Sequence, residues 1–175
     1  IGVSTADCIP VLLYDEEHHA VAAIHAGWRG TLARIVHKTI QEMAFTYHTD
    51  PKKLKAVIGP GISIDSFEVG DEVYEAFEQA AFPMEEIAEQ RPNAAFSADP
   101  AERERLAAEG NIVQPLKWHL NLPLCNKQIL LHCGVAEENI QDCGICTFQH
   151  SDEYFSARKL GTESGRIYTA ILLEK

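Results

Sequence analysis

Cys8 and His25 are the side chains of this sequence best suited to chemistry, and both sit among residues that constrain the backbone. Cys8 lies in Thr5-Ala6-Asp7-Cys8-Ile9-Pro10, and His25 opens His25-Ala26-Gly27-Trp28-Arg29-Gly30. A thiolate and a neutral imidazole are good ligands for zinc or copper, and the same pair can serve as nucleophile and base. Two donors do not complete a metal site: a catalytic zinc has three protein ligands and one open position, so a third must come from elsewhere. The same residues also read as a small buried hydrophobe and a core histidine. Asp7, next to the cysteine, is placed to orient a ligand, to act as acid or base, or to hold a turn.

Other reactive groups carry weaker patterns. Cys143-Gly144-Ile145-Cys146 is a lone CxxC with no second pair, so it reads as structural rather than as half a zinc knuckle or a redox pair. Cys125 and Cys133 share a helical stripe with Ile129 and read as core. His18, His19, His37 and His48 fall on polar stretches and read as solvated, as does His150. Arg29, Arg158 and Arg166 stand beside turns or strand ends, where a planar guanidinium binds phosphate or carboxylate, or clamps backbone carbonyls. GxSxG elbows, Walker loops and Rossmann glycine fingerprints are absent from the sequence.

The elements that must position these groups follow from hydrophobic period. Ile9 to Tyr14 and Ala20 to Ile24 are apolar on consecutive residues, which predicts a hairpin of strands covered on both faces. From Thr31 the period becomes helical, with Leu32, Ile35, Val36, Ile40 and Met43 on one face. That helix would start just after the Gly27–Gly30 turn, and its free N-terminal amides at Gly30-Thr31 would offer an anion seat beside His25. Lys55 to Ile58 predicts a strand, and Val69, Val73, Phe77 and Ala80 predict a second helix. Residues 83–110 read as short helix and loop, with Arg91-Pro92-Asn93 as a turn. Asn121 predicts an N-cap, with Pro123 in the first turn and Gly134 as the stop. Arg166 to Leu173 reads as a closing strand. The interleaving gives an α/β (α+β) class, a single compact domain over 1–175 with a mixed sheet flanked by helices.

Composition narrows the function. The 175 residues are 46% hydrophobic and 23% charged, as in ordinary globular proteins, and long enough to bury a core. A net charge of −11 argues against a nucleic-acid surface, while leaving room for a small anion held by arginines. No apolar run reaches the roughly 18–20 residues of a membrane span. Five cysteines without a secreted-scaffold spacing point to a reducing cytoplasm. The chain opens on Ile1 without Met, in what reads as mid-strand, so an N-terminal portion is expected to be missing.

Thr5-Ala6-Asp7-Cys8-Ile9-Pro10-Val11-Leu12-Leu13 with Ala23-Ile24-His25-Ala26-Gly27-Trp28-Arg29-Gly30 resembles the signature of the laccase-domain family. That family is described as polyphenol oxidase-like, multicopper oxidase-annotated and, more recently, as purine nucleoside phosphorylases. Ile58-Gly59-Pro60-Gly61-Ile62, Phe67-Glu68-Val69-Gly70, Cys146-Thr147, Phe155-Ser156-Ala157-Arg158 and Gly165-Arg166 extend the resemblance along the whole chain. It implies a fold like the cysteine-hydrolase-like fold of toxin deamidase domains. It implies zinc-dependent phosphorolysis of adenosine, inosine, guanosine and methylthioadenosine, with deamination of adenosine. The partners would be these nucleosides and phosphate, with no nucleic acid or membrane, and the protein a monomer or small homo-oligomer.

In the family a cysteine and two histidines hold the metal. Cys8 and His25 match two of them, and the third, from an upstream Gln-x-His motif, is expected before residue 1. With Asp7 these form the expected catalytic set; Arg29, Arg158 and Ser156 form the expected substrate and phosphate contacts. Asn121-Leu122 stands where the family often has Asp-Leu, and Ala157 where an aromatic is common. Two rivals predict different chemistry: copper-dependent oxidation of phenols, for which eight scattered histidines form no multicopper cluster, and a Cys8–His25 hydrolase or deamidase. A third possibility is an inactive fragment.

Overall fold

β1 (Gly2–Thr5) leads into the predicted hairpin of β2 (Ile9–Asp15) and β3 (Ala20–Ala26), whose antiparallel register sets Pro10 opposite His25 and Ile9 opposite Ala26. The computed structural model describes residues 1–93, 95–96, 99–110 and 113–174. β4 (Lys55–Ile58) pairs antiparallel with β2, and β8 (Ile140–Asp142) pairs parallel with β4, so the main sheet is mixed, in the order β3-β2-β4-β8. Val11, Leu13, Ile24, Ala56 and Ile58 point to its buried face. Leu12, Tyr14, Val21 and Ala23 alternate with them and are only half-buried. The hairpin strands therefore have one covered face and one partly open face, unlike the double cover expected from their consecutive apolar residues.

Helices close the buried face. Instead of one helix from Thr31, the chain makes α1 (Trp28–Leu32) and α2 (Ile35–Tyr47), broken at Arg34, whose φ of 54° is left-handed. α2 drives Val36, Ile40 and Met43 into the core at helical spacing and packs on β3. α6 (Leu122–His132) packs on α2 and β4 with Leu122, Cys125, Ile129 and Leu130 inward. Its start is the predicted one: Asn121 Oδ1 accepts the Leu124 N–H at 3.0 Å, and Pro123 needs no partner in the first turn. Gly134 follows with φ 94°, a backbone geometry that glycine adopts at no steric cost. Each fully buried Leu, Ile, Val or Phe side chain here contributes about 1.5–3 kcal/mol of transfer free energy.

The region 83–120 differs most from the sequence reading. α3 (Asp71–Gln79) has the expected stripe through Val73 and Phe77, but Val69 belongs to β5 (Glu68–Val69) and Ala80 caps the helix. α4 (Met84–Ile87) runs straight into β6 (Ala88–Pro92), so Arg91 and Pro92 close a strand where a turn was expected. α5 (Pro100–Ala108) follows, and β7 (Leu116–Leu120) pairs antiparallel with both β5 and β6 as a second sheet. β6 is legible only through this partner, because its own residues, Ala-Glu-Gln-Arg-Pro, carry no apolar alternation. α7 (Ala157–Leu160) and β9 (Ile167–Ala170) end the fold; β9 is shorter than expected and pairs antiparallel with β1 as a two-stranded ribbon. Among the described residues no helix is long and apolar enough to cross a membrane.

Candidate metal centre and active site

The register that sets Pro10 opposite His25 brings the ends of β2 and β3 together, and Cys8 then falls beside Gly27. A side chain added at Gly27 would place its Cβ 2.8 Å from Cys8 Sγ and 3.8 Å from His25 Nε2. Both donor atoms therefore face the same space above the Gly27 backbone, space that stays open only because residue 27 is glycine. No hydrogen bond joins the two side chains among the described residues, and His25 is exposed. Burial, then the Asp7 charge, push the Cys8 thiol above its ordinary range, while Arg166 pulls the other way. A bound cation would reverse that balance, since metal ligation favours the thiolate.

The turn that carries these atoms is braced from inside. Asn126, fully buried on α6, donates to Thr31 Oγ1 at 3.1 Å and to Leu122 O at 2.9 Å; Thr31 Oγ1 in turn donates to Ala26 O at 3.4 Å. This chain of hydrogen bonds fixes α1 against the end of β3. Gly27 caps α1, and the Thr31 N–H donates to Gly27 O at 2.8 Å. The amide of Thr31 is therefore engaged, and the anion seat expected at Gly30-Thr31 is replaced by a helix already begun at Trp28.

Asp7 is the knot of the neighbouring loops. It takes a left-handed φ of 77°, which Asp tolerates better than most residues, and it is buried. Its Oδ1 accepts the Thr147 hydroxyl at 2.7 Å, its Oδ2 accepts the Arg158 N–H at 2.7 Å, and its carbonyl accepts the Ile62 N–H at 2.8 Å. Both carboxylate oxygens are thus committed to joining the Cys8 corner to residues 147 and 158. The geometry gives Asp7 a positioning part.

The expected anion contacts separate. Arg29 is exposed and lies 4.1 Å over the Trp28 ring, with no carboxylate partner among the described residues. Arg158 donates its Nη2 to Glu68 O at 3.0 Å and lies over Phe67, so its guanidinium is a clamp on β5. Ser156 is fully buried and accepts the Lys159 N–H at 3.2 Å as the N-cap of α7, which commits its hydroxyl to that helix. Arg166, which donates Nη1 to Ser164 O at 2.6 Å, is near enough to Cys8 to lower its pKa. Arg166 and Thr147 enter the site through contacts spanning most of the chain; their signals in the sequence were the Gly165-Arg166 and Cys146-Thr147 landmarks and the position of Arg166 at a strand end.

The remaining candidates fall elsewhere. Cys146 is buried, with the Ser63 N–H donating to its Sγ at 3.3 Å, while Cys143 is exposed; both are free thiols. Burial alone would raise the Cys146 pKa, but hydrogen bonds from Ser63, Gln149 and Ser66 more than offset it and lower it. His18 is exposed, as expected, and its Nδ1 lies 3.0 Å from Asp15 Oδ2. Among the described residues no group of three or more His, Cys, Asp or Glu side chains is disposed to hold a metal ion.

Comparison with known proteins identifies the family. Residues 1–174 match the family described as multi-copper polyphenol oxidoreductase laccase. A purine nucleoside phosphorylase from Bacteroides thetaiotaomicron is 42% identical over 173 residues, which cover 99% of this chain and 56% of the relative. Adenosine deaminase RL5, from an unknown prokaryotic organism, is 39% identical over 171 residues, covering 98% of this chain and 57% of its own. The crystal structure of Bacillus licheniformis protein YfiH superimposes with a TM-score of 0.75 at 25% identity, covering 95% of this chain and 55% of that one. The chain thus spans a little over half the length of the relatives it matches. It belongs to the multi-copper polyphenol oxidoreductase laccase family.

Proposed function

We propose that this chain carries the Cys8–His25 half of a zinc site that processes purine nucleosides, cleaving adenosine, inosine, guanosine and methylthioadenosine with phosphate and deaminating adenosine. The observation that carries the reading is the convergence of Cys8 Sγ and His25 Nε2 over Gly27. The donor set suits zinc, with a third ligand contributed by a residue outside the described ones. Cys8 and His25 would hold the zinc, which when bound would supply Lewis-acid charge there. The relatives named purine nucleoside phosphorylase and adenosine deaminase support the substrate class.

The chain's own residues would do the rest. Asp7 holds Cys8 in register by engaging Thr147 and Arg158. Gly27 leaves the space in which the reacting group meets both donors. Arg29, free of carboxylate partners and steadied on Trp28, offers its fork to the phosphate. Arg166 adds positive potential beside Cys8. In phosphorolysis a phosphate oxygen bonds to C1′ of the sugar as the C1′–N9 bond breaks and the base departs with a proton. In deamination water adds at C6 and ammonia leaves.

The test is to incubate the protein with inosine and phosphate, with and without a chelator. Release of hypoxanthine and sugar phosphate that the chelator stops is expected. Phenol turnover with stoichiometric copper, or chelator-insensitive turnover abolished by thiol alkylation, would replace this reading with one of its two rivals.

A further inference from the structure

We propose a second ligand site, for a phosphate monoester, in the cleft between α2, α6 and the loop that joins α3 to α4. The cleft has a volume of about 530 Å³ and is lined by Arg34, His37, Phe82, Glu86, Gln128 and His132. A volume in this range accommodates small-molecule ligands. It is a different place from the Cys8–His25 corner, none of whose residues line it.

Three features of the cleft point to an anion. Arg34, His37 and His132 bring cation-capable groups from two helices together in a protein of net charge −11, and no carboxylate pairs with any of them among the described residues. Arg34 is pre-positioned: its guanidinium lies 4.4 Å over the Phe82 ring, and its Nη2 donates to Ala80 O at 3.0 Å. That leaves the rest of its planar fork for an oxyanion. The arrangement is held at a cost in backbone strain, since Arg34 and Ala81, both lining the cleft, take left-handed φ, 54° and 55°.

The fourth feature defines the body attached to the anion. Glu86 is already engaged, accepting Gln128 Nε2 at 2.6 Å, and this bond orients the Gln128 amide. Phe82, Pro83 and Ile129 provide an apolar wall for the same body. A phosphate carried on a compact ring system meets both the charge and the apolar wall, and inorganic phosphate meets only the charge.

Calorimetric titration with adenosine 5′-monophosphate, inorganic phosphate and adenosine tests this. Adenosine monophosphate is expected to bind with one affinity in both the unaltered protein and a Cys8→Ser/His25→Ala variant. That affinity should fall about tenfold or more in His37→Gln/His132→Gln. Phosphate should compete weakly, and adenosine not at all. Amide chemical-shift changes on adding the nucleotide to the unaltered protein should cluster on α2 and α6, a readout independent of the variants. The site is ruled out if the nucleotide fails to bind at millimolar concentration, if its binding disappears with Cys8 and His25, or if His37→Gln/His132→Gln binds it normally.

Discussion

Cys8 and Cys146 lie on either side of one strap of backbone and are pushed in opposite directions. The strap is the segment around Gly61, whose N–H donates to Ile145 O while Ile62 N–H donates to Asp7 O. Cys8 is half-buried without a hydrogen-bond donor and beside a carboxylate, so its thiol is held protonated. Cys146 is buried too, yet the Ser63 N–H donates to it and its hydrogen bonds with Ser63, Gln149 and Ser66 favour the thiolate. Burial alone therefore does not decide reactivity; the donors aimed at the sulfur do. The lesson for function is that Cys8, the cysteine of the family motif, is poorly activated by its own surroundings and suited to a cation partner.

Cys125 extends the comparison to a thiol whose burial outweighs its one opposing backbone hydrogen bond, and it gives the largest expected effect. Its pKa is pushed up to about 12 by burial from an ordinary value of 9.0. With the folded value above the unfolded one, its contribution is fully present below pH 9 and is lost as pH rises toward 12. At about 1.4 kcal/mol per unit, about 4 kcal/mol of stability should disappear across that window. Urea denaturation from pH 7 to pH 11 should show the decline, and Cys125→Ala should flatten it.

Removing the carboxylate beside Cys8 should come next. Asp7→Ala strips the partners of Thr147 and Arg158 and leaves alanine at a left-handed φ, so about 3 kcal/mol should be lost in urea denaturation. A loss below about 1 kcal/mol would mean that Asp7 is free for proton transfer after all. The smallest effect should be on Cys146: Ser63→Ala removes the side chain beside the sulfur and should move its titration upward, followed by the Cys146 Cβ chemical shift. An unmoved titration would show that the backbone N–H alone sets this thiol.

Much of the scaffold was legible because its signals are local. The hairpin announced itself through its apolar runs, and α6 through Asn121, Pro123 and Gly134. Cys8 and His25 stood out by type and by the constrained residues around them. What was hidden depends on contacts at long separation. Asp7 reads as a possible acid or base until its partners appear 140 and 151 residues away. The break at Arg34 carries no glycine or proline, and the strand Ala88–Pro92 has no alternation; each is decided by what it packs against rather than by its own sequence. Ser156 is expected as a substrate contact from the family motif alone, and its place as the N-cap of α7 appears only in the structure.

The central claim is that Cys8 and His25 share one ligand space, kept open by Gly27. Cobalt(II) titration, followed by the thiolate-to-metal charge-transfer band, tests it in the protein and in three variants. The band should appear in the unaltered protein and vanish in Cys8→Ser, in His25→Ala and in Gly27→Ala, whose added methyl fills the space between the donors while the fold persists. An undiminished band in Cys8→Ser, with the metal held instead by Cys146 or Cys143, would contradict it.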